Sequence, residues 1–322
     1  MMTLDTDQPD TTQKHFSVSA GPYRRNWLST QRMMYITLLA LMLPTAGAIY
    51  FFGYYALSII AVSVGSALIT EYLVKRLRGH PFVMDGSAII IGLLLALLMP
   101  PTIPLWMVVV GVVVAIAIIK EAFGGMGHYI FNPALGGMAF IYTCFPTEMT
   151  TWVEPTGFGS EPIAAAAPLS ESFAANTDKL AMFFGDTSGA LGETSALLIL
   201  VAGITLIALR VIDWRIPLAF ILTTFIFSAV LGADPVFQLL GGSLMLGAFF
   251  LATDSVTSPL TRKGRVIFGF GAGILLVLIR LYGDIPEGVA YSILLMNAFT
   301  PLIDRFVKSK PYGFKKAVKN VA

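Results

Sequence analysis

Ala88-Ile-Ile-Ile-Gly-Leu-Leu-Leu-Ala-Leu-Leu-Met99 and Val108-Val-Val-Gly-Val-Val-Val-Ala-Ile-Ala-Ile-Ile119 decide the fold of this chain. Neither stretch alternates apolar with polar residues, as a strand facing lipid on one side and a lumen on the other must. A run that is apolar all round is buried all round, in a protein core or in lipid. Lipid offers the backbone no hydrogen-bond partner, so such a run closes its N–H and C=O groups within a helix.

Working outward, a spanning helix needs about 20 mostly apolar residues. Ten runs approach that length: 34–53, 56–74, 86–99, 104–120, 132–146, 194–212, 216–232, 236–253, 264–281 and 288–304. Composition agrees. Charged residues are 12% of the chain and hydrophobic residues 56%, with a mean hydropathy of +0.77. Soluble domains are about a quarter charged, so this chain lacks the groups to cover a water-facing surface. Placing residue 1 in the cytoplasm and alternating sides leaves only Lys179 and Arg280, of 21 Lys and Arg residues, outside. That bias is the one expected of cytoplasmic loops.

The fold class read from this pattern is all-α: a polytopic membrane helical bundle of about ten transmembrane helices in two halves of five, some of them interrupted. Its parts are a cytoplasmic N-terminal tail (1–30), a first five-helix half (31–146), an acidic periplasmic loop (147–193), a second five-helix half (194–306) and a basic cytoplasmic tail (307–322). The runs 86–99, 132–146 and 236–253 are short or glycine-rich, and broken helices at membrane depth line cavities or pack inside protein. The 147–193 loop is too long for an inert connection.

A net charge of +2 gives no footprint for nucleic acid. One cysteine, Cys144, neither closes an intrachain disulfide nor holds an iron–sulfur cluster, which takes about four ligands. Three dispersed histidines show no metal-ligand spacing. A redox cofactor of this chain is therefore organic, or held by a partner.

Three segments carry polar chemistry. Lys120-Glu121-Ala-Phe-Gly124-Gly125-Met-Gly127-His128 leads into Asn132-Pro133; Asn132 suits a helix N-cap with Pro133 at the first helical position. Gly124, Gly125 and Gly127 allow close backbone approach, and their amides suit an anion or a ring edge. Thr253-Asp254-Ser-Val-Thr257-Ser258 sets a carboxylate and four hydroxyls at a span end, either a capped turn or a place for a hard cation or a flavin. Gly189-Ala-Leu-Gly-Glu193-Thr194-Ser195 opens a helix that Thr194 or Ser195 caps, and the same amides suit a phosphate. Ionisable residues in spans are functional candidates, which selects Glu71, Glu121 and Asp254 for an ion pathway. Glu71 also stands one turn from Lys75, the spacing of a helical ion pair. Asn297, mid-span, suits a hydrogen bond between helices.

Asp85-Gly-Ser-Ala88, Phe123-Gly-Gly-Met-Gly127, Phe131-Asn-Pro-Ala134, Gly189-Ala-Leu-Gly-Glu-Thr-Ser195, Met245-Leu-Gly-Ala-Phe-Phe250, Ala252-Thr-Asp-Ser-Val-Thr257 and Pro286-Glu-Gly-Val-Ala290 follow one another in this order. Over residues 18–312 the chain resembles the D-type component of the Rnf ion-translocating electron transport complex. That family is shared with the B-type component of the sodium-translocating NADH:quinone reductase. The resemblance implies a ten-span member of a multisubunit complex in the bacterial inner membrane, with both termini cytoplasmic. Such a complex couples electron transfer from NADH or ferredoxin to Na+ or H+ translocation, and the chain is then a component of an enzyme rather than an enzyme alone. Partner subunits would bind NADH and the iron–sulfur clusters. The resemblance further implies riboflavin, and FMN esterified by a flavin transferase to a threonine in the outer loop. Here the threonine position is Ala167, which has no oxygen for a phosphoester. FMN is then bound without a covalent bond, attached at another hydroxyl, or lost. The alternative is a non-redox transporter, channel or scaffold.

Overall fold

The computed structural model describes residues 29–155, 179–193, 195–283 and 287–308, and every regular element described is helical. Ala167, Thr194 and both tails beyond these limits lie outside the described residues. The helices are α1 (Thr30–Leu77), α2 (Ser87–Leu97), α3 (Leu105–Val113), α4 (Pro133–Cys144), α5 (Pro146–Met149), α6 (Lys179–Phe184), α7 (Ala196–Ala208), α8 (Arg215–Val230), α9 (Pro235–Leu240), α10 (Leu244–Leu246), α11 (Arg262–Tyr282) and α12 (Val289–Phe306). Two π-helical segments prolong α3 and α10: Val114–Glu121 and Gly247–Leu251.

Helix α1 is capped by Ser29, whose Oγ accepts from the Arg32 N–H at 3.3 Å. A straight helix of its 48 residues would run about 72 Å, more than twice the roughly 30 Å apolar thickness of a bilayer. Gly53, at φ 71 and ψ −150, divides it into two arms, 30–52 and 54–77. The expected spans 34–53 and 56–74 thus meet at one residue, with no loop between them. Only glycine takes that φ without strain. Tyr50 and Tyr54, 68% and 73% exposed, flank the break, as aromatic side chains do at a membrane–water boundary.

By length and apolarity, α1 and α11 are the two described helices able to cross a membrane unaided; α2, α4, α7 and α8 are shorter apolar helices. The expected run 236–253 is broken. Helix α9 ends at Leu240, Gly241 is extended, Gly242 takes φ 67, and α10 restarts at Leu244. The run 86–99 forms α2 without an internal break, with every residue but Ile89 buried. Helix α4 follows eleven non-helical residues, 122–132, so the irregular backbone lies ahead of this helix rather than inside it.

Small residues set the helix contacts. A Cβ on Gly92 would lie 3.0 Å from the Ser63 carbonyl oxygen of α1, and the Ser63 Oγ donates to the Gly92 carbonyl at 2.6 Å. Gly269 and Gly273, one turn apart on α11, bring that helix against α8: their Cβ atoms would sit 2.7 Å from the Ile216 carbonyl oxygen and 2.7 Å from the Thr223 Cβ. This is the small-residue spacing of helices that pack without a hydrophobic drive, in lipid. The outward faces are apolar, with Leu39, Ile69, Leu218, Ile226 and Phe270 all exposed. In water so broad an apolar surface would aggregate.

Candidate functional site

Glu71 is the centre of a buried charge cluster. Lys75, one turn on, reaches its Oε1 at 2.6 Å, the ion pair its spacing predicts. Lys120 Nζ reaches the same oxygen at 2.7 Å and donates to Ser87 Oγ at 2.6 Å. The Ser87 hydroxyl in turn donates to Asp85 Oδ1 at 2.6 Å. Lys120 is 0% exposed, and Glu121 Oε1 stands 4.0 Å from its ammonium without a hydrogen-bond donor among the described residues. Lys120 and Glu121 end the π-helical segment, a rare geometry concentrated at functional sites.

The glycine turn closes that segment. The amides of Gly124 and Gly125 donate to the carbonyls of Glu121 and Lys120, at 3.1 and 3.0 Å. The Arg78 guanidinium donates to the carbonyls of Glu121 and Ala122. Gly124, Gly125 and Gly127 have φ of 120, 85 and 90, which explains the residue type at each. Two of the three amides expected to face a ligand are thus spent on the helix end.

Beside this cluster lies a cavity of about 80 Å³. Its apolar walls include Met33, Met34, Leu94 and Phe250, and its polar rim is Ser87, Tyr129, Asn132, Thr253 and Asp254. Asn132 caps α4, its Oδ1 accepting from the amides of Ala134 and Leu135 at 3.0 and 3.3 Å, while its Nδ2 donates to the Leu251 carbonyl at 3.1 Å. One side chain therefore ties α4 to the end of the second π-helical segment. Asp254 accepts from the Tyr129 hydroxyl and from Thr257 Oγ1, each at 3.4 Å. The structure thus brings Asn132, Asp254 and Thr257, from both halves of the chain, to one place. Replacing Asn132 with alanine is expected to lose about 1–2 kcal/mol of stability, from the cap and the bond to Leu251. Aspartate at this position keeps the cap and restores only part; thermal unfolding of both variants checks the split.

Met33, Val211 and Thr253 also line a neighbouring vestibule of about 510 Å³, bordered by Arg210, Arg215, Arg262 and Arg265. Asp213 bridges two of these, at 3.0 Å from Arg215 and 2.7 Å from Arg265. Burial pushes the Asp213 carboxyl up, but the Arg215 amide and the two guanidinium groups outweigh it and hold the group below the usual range.

Glu193 and Ser195 lie apart from this cavity. Ser195 is the N-cap of α7, its Oγ accepting from the Leu198 amide at 3.4 Å. The loop before it pairs with the end of α2, Leu191 and Gly192 donating to the carbonyls of Met99 and Leu97 at 3.1 and 2.7 Å. Sequence reasoning did not find Tyr129 as a partner of Asp254, nor Lys120, Arg280 and Glu287 as buried charges; their partners stand at separations such as 49 and 125 residues. Lys120 and Arg280 each end a long uncharged run, which is the signal that was available.

A helix broken at Gly241-Gly242, glycine-mediated packing, an apolar exterior, paired charges inside and two described helices long and apolar enough to cross a bilayer fit a helical membrane protein. The chain belongs to the NQR2, RnfD, RnfE family, whose model matches residues 17–313. It is 41% identical over 321 residues to the D-type component of the proton-translocating ferredoxin:NAD(+) oxidoreductase complex of Clostridium ljungdahlii, covering 94% of this chain and 97% of the relative. It is 42% identical to the D-type component of the Na(+)-translocating ferredoxin:NAD(+) oxidoreductase complex of Acetobacterium woodii, over 95% of this chain and 98% of the relative. The D-type component of an ion-translocating oxidoreductase complex of Methanosarcina acetivorans is 35% identical over 92% of this chain and 97% of its own.

Proposed function

We propose that this chain is the D-type membrane component of a ferredoxin:NAD+ oxidoreductase complex, coupling electron transfer to the movement of Na+ or H+. The observation that carries the proposal is the shared Ser87. Its hydroxyl accepts from Lys120 in the buried Glu71 cluster, and the same residue lines the cavity that Asp254 and Asn132 close. An ionisable cluster inside the helix array and a polar-rimmed cavity thus have a common wall. The near-equal likeness to a proton-translocating and a sodium-translocating relative leaves the choice of ion to local chemistry.

Ten crossings with both termini cytoplasmic, in a bacterial inner membrane, remain part of this proposal. The one-sided distribution of Lys and Arg supports it, and the glycine break in α1 turns one long helix into two span-length arms. The other proteins of the complex are the partners.

The cavity suits a flavin by its chemistry: thioether and aliphatic walls for a ring face, and hydroxyl, amide and carboxylate groups at the edge. At about 80 Å³ the cavity is smaller than a whole flavin, so the rest of the molecule would have to reach the neighbouring vestibule, where four arginines suit a phosphate. Riboflavin or non-covalent FMN is the group we assign there. A flavin bound there would supply one- and two-electron steps at its ring. Ser87, Asn132, Thr253 and Asp254 would orient it, and the methionine and phenylalanine walls would keep water from it. Ala167 provides no ester oxygen, so a covalent FMN would need another hydroxyl and the action of a flavin transferase.

The test is the intact mass of the chain, purified from cells that supply the flavin transferase, with flavin extracted from the same sample. The expected result is an unmodified mass with extractable flavin, reduced several-fold by Thr253→Val. A mass increase matching an FMN ester would replace the non-covalent assignment with attachment at another hydroxyl. An unmodified mass with no flavin would favour a non-redox transporter or scaffold, the alternative that the absence of the threonine at position 167 raises.

A further inference from the structure

Glu193 and Glu287 are 7% and 5% exposed, and their carboxyl groups face each other within hydrogen-bonding reach. Glu193 lies in the loop that seals the end of α2; Glu287 directly precedes Gly288, the left-handed cap of α12. The Ser243 hydroxyl, at the break between α9 and α10, reaches Glu193, and Glu193 Oε2 also accepts from the Ala190 amide at 3.4 Å. Each carboxyl keeps one oxygen, Glu193 Oε1 and Glu287 Oε2, buried and without a donor among the described residues.

Arg280 is the cation acting on both, and Tyr142 of α4 and Tyr291 lie within electrostatic reach of Glu287 or of each other. Arg280 makes no ion pair with either carboxylate within 4.0 Å among the described residues. Its guanidinium is committed to the carbonyls of Glu287, Gln238 and Gly241 and to Gln238 Oε1, at 2.6–3.1 Å. It therefore holds the broken α9–α10 segment and supplies one positive charge to a buried group of two carboxyls. Two carboxylates and one guanidinium sum to one uncompensated negative charge. An uncompensated charge is expensive to bury, and two ionised carboxylates have no proton with which to form a hydrogen bond.

A second observation lies on the same helix. Asn297, ten residues beyond Glu287 on the buried face of α12, is 0% exposed, and neither its Nδ2 nor its Oδ1 has a partner among the described residues. Among the described residues, the expected interhelical bond of Asn297 is not made. One turn further, Thr300 Oγ1 donates to the Thr257 carbonyl at 3.0 Å, and Thr257 donates to Asp254. Ser292, Asn297 and Thr300 are thus the buried polar side chains of a helix whose first turn follows Glu287.

We propose that Glu193 and Glu287 form a proton-binding site, holding one exchangeable proton between them ahead of a helix whose buried face carries Asn297 and Thr300. The protonated carboxyl donates to the ionised one, one O–H moving between two acceptors with no other bond made or broken. The proton assignment rests on this geometry; its use as the outer step of translocation rests on the function proposed above.

Infrared difference spectroscopy of the purified complex across a pH titration tests it. The protonated-carboxyl stretch is expected near neutral pH, shifted by D2O and by 13C-glutamate labelling, and lost in both Glu193→Gln and Glu287→Gln. Should a variant fail to fold, the labelled wild-type titration still decides whether a glutamic acid proton persists where exposed carboxylates are ionised. Absence of the band, or a band indifferent to both substitutions, would overturn the proposal. Loss of the band on adding sodium chloride but not choline chloride would replace the proton with a sodium ion. The band is read without turnover or flavin, so its absence beside intact ion pumping would sink this site and leave the function standing.

Discussion

Replacing Glu71 with alanine is expected to cost about 3–5 kcal/mol of stability, because it strands a buried ammonium. Glu71 Oε1 receives both Lys75 and Lys120, at 2.6 and 2.7 Å. Lys75 is 15% exposed and retains water when its partner goes. Lys120 is fully buried and, among the described residues, would keep only the Ser87 hydroxyl and a carboxylate oxygen 4.0 Å away. Lys75→Ala should therefore cost far less, within about 1 kcal/mol. Lys120→Met added to Glu71→Ala should recover part of the loss, since it removes the stranded charge. A double-mutant cycle on the thermal unfolding of the solubilised complex reads this coupling directly. If Glu71→Ala proves no worse than Lys75→Ala, the buried pair is not what holds α1, α2 and the π-helical segment together.

Gly269→Leu is expected to separate α8 from α11 and abolish a stable, assembled protein. The Cβ alone would sit 2.7 Å from a backbone oxygen and 2.9 Å from the Ala219 Cβ, and a backbone oxygen cannot rotate aside. Overpacking of this kind costs about 1–3 kcal/mol, or more where backbone is the obstacle. Gly65 provides the control. It also lies within a helix, yet a Cβ there meets nothing within 4 Å. Gly65→Ala should be neutral or stabilise by up to about 1 kcal/mol, through helix propensity. Expression and thermal unfolding of the two variants separate contact from composition; equal behaviour would show that α8 and α11 are not in close contact.

Much of the architecture was legible because lipid imposes one rule on every residue of a span. Uninterrupted runs such as 88–99 and 108–119 read as helix without help from their neighbours. The Asn132 cap, the Glu71–Lys75 pair and the break after Leu240 were local enough to be seen in the sequence. The two basic residues outside the charge pattern, Lys179 and Arg280, were legible only as exceptions. The structure pairs Lys179 with Asp234 at 2.5 Å and turns Arg280 inward onto the broken helix.

The single-residue division of α1 at Gly53 was hidden, since apolar residues continue across it and periodicity has no term for one φ angle. The three glycines after Glu121 announced an unusual turn, but not that two of their amides would close a π-helical end. A local repeat was also out of reach. Gly86-Ser87 and Gly242-Ser243 each place a left-handed glycine before a short helix, and each serine reaches a buried charged side chain. Two residues are too few to register as sequence similarity.

By itself, then, the sequence determined the helical character that every regular element among the described residues shows, which stretches are apolar enough to be buried, and which polar residues stand out against them. Those properties follow from solvation and from contacts within one or two helical turns. Only the tertiary structure decided that Lys120 answers Glu71, that Asn132 and Asp254 close one cavity, and that Glu193 meets Glu287. The physical reason is that burial makes a charge costly without naming its partner; the partner is whichever group packing brings within about 3 Å, and packing joins residues far apart in the chain.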